Sequence, residues 1–220
     1  MSRVSFSDNK FLSKYNMFFK GVYKRNKRLL VVSTVIFFVS LIIGVVIGYI
    51  YPDFIGNLLT EFSNELSSQV DISTLSIFTH NIKTALMVYA GGIIGIVTAA
   101  LLSVNGFIIG AFLGYFMHGG AINHSSVTPL VFISYIVPHG IFEIPALIIA
   151  SAAGFRLTTV VIDLINSLRG KPYVNNDYQK FKDSLALLAV AVILFAIAAV
   201  IEANFTMSIG NYITGLNLHK

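Results

Sequence analysis

The sequence predicts an all-α fold, a polytopic membrane helical bundle of about five transmembrane helices with amphipathic interfacial helices beside them. Three observations predict it. Of 220 residues, 55% are hydrophobic and 11% are charged, where soluble domains carry about 25% charged residues. Mean hydropathy is +0.79, which leaves too little polar surface for a fold bathed in water. The apolar residues also gather into runs near the roughly 20 residues that a helix needs to cross a bilayer.

The elements follow in order. Residues 1–28 form a basic segment expected on the cytoplasmic side, with Phe11, Tyr15, Phe18, Phe19 and Val22 at helical spacing. This is a basic amphipathic helix, lying on anionic lipid or packed on the protein's own underside. The remainder, 29–220, reads as a single membrane domain. Its first span is 29–51. That run is too long, and starts too far along the chain, for a cleaved signal peptide. Pro52-Asp53 ends it. Residues 53–71 then place Phe54, Leu58, Phe62, Leu66 and Val70 four apart with Asp53, Glu61, Glu65 and Asp71 between them. This is an acidic amphipathic helix, free of Lys and Arg, expected on the outer side.

From residue 82 to about 117 the chain is apolar for too long to be one crossing of a core about 30 Å thick. Asn105-Gly106 is a turn signal, so two spans are expected, 82–104 and 106–121, joined as a tight hairpin. The second carries Gly106, Gly110 and Gly114, a small-residue face suited to close packing. A polar loop follows, then a fourth span at 129–155, interrupted by Pro138-His139-Gly140 and Pro145. Residues 157–168 form an inner amphipathic helix, and 184–203 the last span.

Charge placement orients the chain. Eight Lys/Arg precede the first span and five lie between 156 and 183. Five crossings put thirteen of the fifteen on one face, which the positive-inside rule makes cytoplasmic. The expectation is a cell-membrane protein with its N-terminus in the cytoplasm and its C-terminus outside. Basic residues beside a membrane helix have this topological use already, so nucleic acid is not an expected partner. The lipid bilayer is, and small-residue faces such as 91–95 suit packing within or between copies, leaving a homo-oligomer open.

Polar groups at membrane depth are the candidate functional residues, because a charged group there costs about 2.5–3.5 kcal/mol on insertion scales. His139 and Glu143 are four apart and share a helix face. Pro138 removes a backbone donor and Gly140 loosens the helix, so the turn around His139 is expected to open. Carbonyls, imidazole and carboxylate would then converge, as a proton relay, a cation site or a lipid-headgroup site, or as a buried polar knot that fixes helix packing. Glu202 either reaches the interface or faces Asn81 or Glu143. Asn81 is expected to cap the second span, Asn105 to turn the hairpin, and Arg156 to anchor the inner end of the fourth span.

Signatures of catalysis are missing. There is no H-E-x-x-H pair, G-x-S-x-G turn, P-loop or G-x-G-x-x-G. No cysteine is present, and His139 with Glu143 supplies too few ligands for a closed zinc site. No metal, cofactor or enzymatic activity is expected. Asn123-His124-Ser125 and Asn204-Phe205-Thr206 match the glycosylation sequon, a pattern common by chance.

His80-Asn81, Asn105-Gly106, the block Pro138-His139-Gly140-Ile141-Phe142-Glu143-Ile144-Pro145-Ala146, and Ile201-Glu202-Ala203 followed by Thr206 together resemble the stage II sporulation protein M family. The resemblance covers about residues 15–210, with Met207 where the family's closing motif has proline. It implies a multi-pass membrane scaffold that organises extracytoplasmic cell-envelope partners, as the namesake recruits wall hydrolases during engulfment. It marks His139, Glu143, Asn81, Asn105 and Glu202 as motif positions without assigning them roles. The alternative reading is a small ion- or proton-coupled transporter or channel using the broken fourth helix.

Overall fold

The computed structural model describes residues 5–69, 73–122, 125–170 and 177–215, with side chains over 17–61, 73–121, 127–170 and 178–215. The sequon at Asn123, the side chains of 1–16 and the linker around Pro172 lie outside them.

The described chain is helical apart from one pair of two-residue strands. In order it forms α1 (Ser5–Ile50), α2 (Pro52–Gln69), α3 (Thr74–Ala90), a 3₁₀ turn (Gly91–Ile94), α4 (Ile96–Met117), β1 (Ala121–Ile122) antiparallel to β2 (Ser125–Ser126), α5 (Pro129–Leu168), α6 (Asp177–Ile201), a π-turn (Glu202–Thr206) and α7 (Met207–Thr214). Four helical stretches are long and apolar enough to cross a membrane: Met17–Ile50, Ile96–Met117, Pro129–Leu168 and Tyr178–Thr214. The 17-residue α3 traverses the same bundle beside them. The exposed faces are apolar, with Val31, Val35, Phe38, Ile42 and Val46 along α1 all about half accessible. A girdle of this kind suits lipid, not water.

The side-chain contacts fix the direction of each traverse. Along α1 and α4, a β-carbon at Gly106 would stand 2.6 Å from the Phe37 carbonyl oxygen, one at Gly110 2.0 Å from that of Leu41, and one at Gly114 2.1 Å from that of Val45. Both helices therefore run the same way, touching backbone to backbone, and the glycine face expected of the third span is the face that packs. The core between the helices is built on Phe37, Val88, Leu102, Leu147, Phe195 and a run of buried alanines.

The hairpin reverses elsewhere than expected. Asn105 and Gly106 lie inside α4, where the Asn105 amide donates to the Leu101 carbonyl at 2.8 Å. The chain turns instead at Gly91–Gly95. Thr98 donates to the Val88 carbonyl across the turn at 2.8 Å, and Thr158 of α5 donates to the Gly92 carbonyl at 2.7 Å. The helices on either side of the reversal are accordingly α3, Thr74–Ala90, and α4, Ile96–Met117, where 82–104 and 106–121 were expected. Ser73, not Asn81, caps α3: its hydroxyl accepts from the Ser76 amide at 3.2 Å.

Two other breaks also move. The fourth span does not open at Pro138-His139-Gly140. α5 is one helix of 40 residues through both prolines, and the inner helix expected at 157–168 is its continuation. The irregularity lies in the last span, where the π-turn at 202–206 links α6 to α7.

Candidate functional site

α5 and α6 run antiparallel, and the π-turn brings Glu202 against the His139–Glu143 face. One ligand atom from each of His139, Glu143 and Glu202 lies within 4.8 Å of the other two. His139 Nε2 is 3.7 Å from Glu143 Oε2. On the other side of the ring, Nδ1 is 3.3 Å from the Thr206 hydroxyl, which itself donates to the Ile201 carbonyl at 3.4 Å. Either atom of the His139–Thr206 pair donates according to the imidazole tautomer, and Nε2 faces the Glu143 carboxyl.

Glu202 is 19 residues beyond Asp183, about 28 Å along the axis, so the site stands at the end of the bundle opposite Asp183. On α3, Asn81 is buried, and the residue of that helix beside the π-turn is Thr74, whose hydroxyl accepts from the Asn204 amide at 3.4 Å. Asn81 is 5% exposed and its side-chain nitrogen has no hydrogen-bond partner among the described residues. Just beyond the π-turn, Tyr135 donates to Asn211 Oδ1 at 2.6 Å, and the Tyr135 ring occupies the space that Gly210 leaves without a side chain.

Of the sequence-predicted residues, His139, Glu143 and Glu202 come together, and Asn81 is buried on α3. Asn105 does not join them; it serves its own helix. Pro138 and Gly140 flank His139 without breaking α5, and a methyl at Gly140 would meet only Ile136 and Ile144 side chains at 3.4 and 3.8 Å. Thr206 is the partner that sequence reasoning missed as a contact. Its signal was its place four residues after Glu202.

A second polar cluster, also missed, closes the opposite end. The Asp183 carboxylate is 1% exposed and accepts four N–H donors: Arg25 Nε and a terminal Arg25 nitrogen at 2.7 Å each, Gln179 at 2.9 Å and Asn26 at 3.2 Å. Arg156 donates to the Asn26 side chain and to the Arg25 carbonyl, so it binds α5 to α1 as well as marking the end of the apolar stretch. Lys180 pairs with Asp163.

The model of the stage II sporulation protein M family matches residues 33–207, a stretch that contains every member of the first cluster. The chain belongs to the stage II sporulation protein M family. Uncharacterized protein MJ0793 of Methanocaldococcus jannaschii is 32% identical over 175 residues, covering 78% of this chain and 92% of that protein. Uncharacterized protein MJ0706 of the same organism is 26% identical over 195 residues, 84% of each chain. No solved structure matches. Within the matched stretch, the Pro-His-Gly…Glu segment of α5 meets the Glu-Ala-Asn-Phe-Thr of the π-turn.

Proposed function

We propose that this stage II sporulation protein M family member is a non-catalytic scaffold of the cell membrane, with its N-terminus cytoplasmic, organising partners of the cell envelope. The observation that supports it is the continuity of its two longest helices. α1 has 46 residues and α5 has 40, about 69 and 60 Å, twice what a bilayer core requires. Their excess projects past the Arg25–Asp183–Arg156 cluster as stiff struts at the basic end. At the other end α2 continues directly from α1, bearing acidic residues and no Lys or Arg. A scaffold needs docking segments joined closely to a rigid membrane core; the basic end has them as unbroken helix and the other end as α2, one residue beyond α1. A transporter or channel built on a broken fourth helix loses its premise, since α5 is unbroken.

The test is crosslinking in cells. A photoreactive residue in place of Phe54, which is 61% exposed on α2, is expected to capture a defined envelope protein, and Glu61→Lys on the same helix to abolish the adduct. Adducts to lipid alone, with none to protein, would overturn the scaffold reading.

A further inference from the structure

We propose that His139 Nε2, Glu143 and Glu202 bind one divalent transition-metal ion. The three groups gather an imidazole and two carboxyls within 4.8 Å of one another, with Nε2 toward Glu143 and Nδ1 against Thr206. A +2 ion held there displaces any proton the three share and balances the charge of the two carboxylates. Counted from α5 alone, two ligands were too few. The π-turn delivers the third from another helix.

Two features point to a built site. The contact from Nδ1 to Thr206 is the kind of outer hydrogen bond that fixes the tautomer and ring orientation of a metal-binding histidine. Thr206 is itself held by the Ile201 carbonyl. The atoms lie within 4.8 Å of one another; bonds of about 2.0–2.2 Å require separations of about 3.5 Å, a closure that rotation of the two Glu side chains supplies.

The donor set selects the ion. One imidazole and two carboxylates suit Zn²⁺, Mn²⁺, Co²⁺ or Fe²⁺. Ca²⁺ requires six to eight oxygens, more than this cluster presents. The inference stands apart from the scaffold reading: an ion here would clamp α5 to α6 and α7 whatever docks elsewhere.

The test uses the full chain in detergent, tag removed and stripped with chelator, then titrated with Co²⁺ and with Zn²⁺. The expected result is one Co²⁺ per chain with visible ligand-field absorption, displaced by Zn²⁺. Glu143→Gln, Glu202→Gln and His139→Gln each weaken binding by tenfold or more, and Thr206→Val by about 10–100-fold. Glu61→Gln leaves it unchanged. Size exclusion checks that each variant is folded, and the wild-type titration decides the matter without them. Uptake of no stoichiometric ion by wild type, or equal affinity in wild type and a folded Glu143→Gln/Glu202→Gln protein, would overturn the proposal.

Discussion

Gly92 lies directly against Gly154: a β-carbon on Gly92 would stand 2.2 Å from the Gly154 carbonyl oxygen. This contact seats the α3–α4 reversal on α5. Around it, Thr98 donates to the Val88 carbonyl and Thr158 to the Gly92 carbonyl.

Thr98 is fully buried, so Thr98→Val leaves the Val88 carbonyl unpaired. We expect a loss of about 1–2 kcal/mol, read as a lowered thermal unfolding midpoint in detergent. Asn105→Ala should stay within about 0.5 kcal/mol of wild type, because Asn105 bonds only within its own helix. Equal losses in both would return the reversal to Asn105-Gly106.

The position of this turn was not legible in the sequence, and the reason is physical. Asn-Gly is a strong local turn signal, but Asn105 satisfies its amide inside a helix and Gly106 is held to Phe37. The turn that forms is stabilised by Thr158, 66 residues away from Gly92. What was legible followed from length and composition: the apolar runs mark the long helices, and two helices, not one, occupy 74–117. His139 and Glu143 could be paired from their i,i+4 spacing. The approach of Glu202 depends on the local winding of the last helix, which hydropathy does not encode.

Gly110→Ala is expected to cost about 1–3 kcal/mol through overpacking, since its β-carbon would stand 2.0 Å from the Leu41 carbonyl oxygen. Gly140→Ala meets only flexible side-chain ends and should change stability by no more than about 0.5 kcal/mol. Thermal unfolding of the two variants side by side checks the contrast.

Asp183→Asn removes the charge that Arg25 pairs with. A fully buried pair broken this way costs about 3–5 kcal/mol. Because Arg25 is 41% exposed at its side chain, we expect about 1–3 kcal/mol, weakened further by salt. A double-mutant cycle with Arg25→Gln measures the coupling, and a coupling of zero would show the pair to be bystanders.

The proposed orientation makes a labelling prediction, simple because the chain has no cysteine of its own. A cysteine at Ser167, on the basic extension of α5, is expected to react only with reagent supplied to the cytoplasm. One at Thr60 on α2 should react only from outside. Outside reaction at Ser167 would invert the bundle.

The π-turn has one more implication. An extra residue in a single turn advances everything after it by about 100° of helical phase. Wound as plain α-helix, the same chain would swing Asn211 off Tyr135 and Thr206 off His139 while leaving α6 untouched. Removing one residue between Glu202 and Thr206 therefore lets plain α-helix hold the phase that the π-turn now sets, whereas adding one there turns Thr206 and Asn211 away from α5 with hydropathy unchanged.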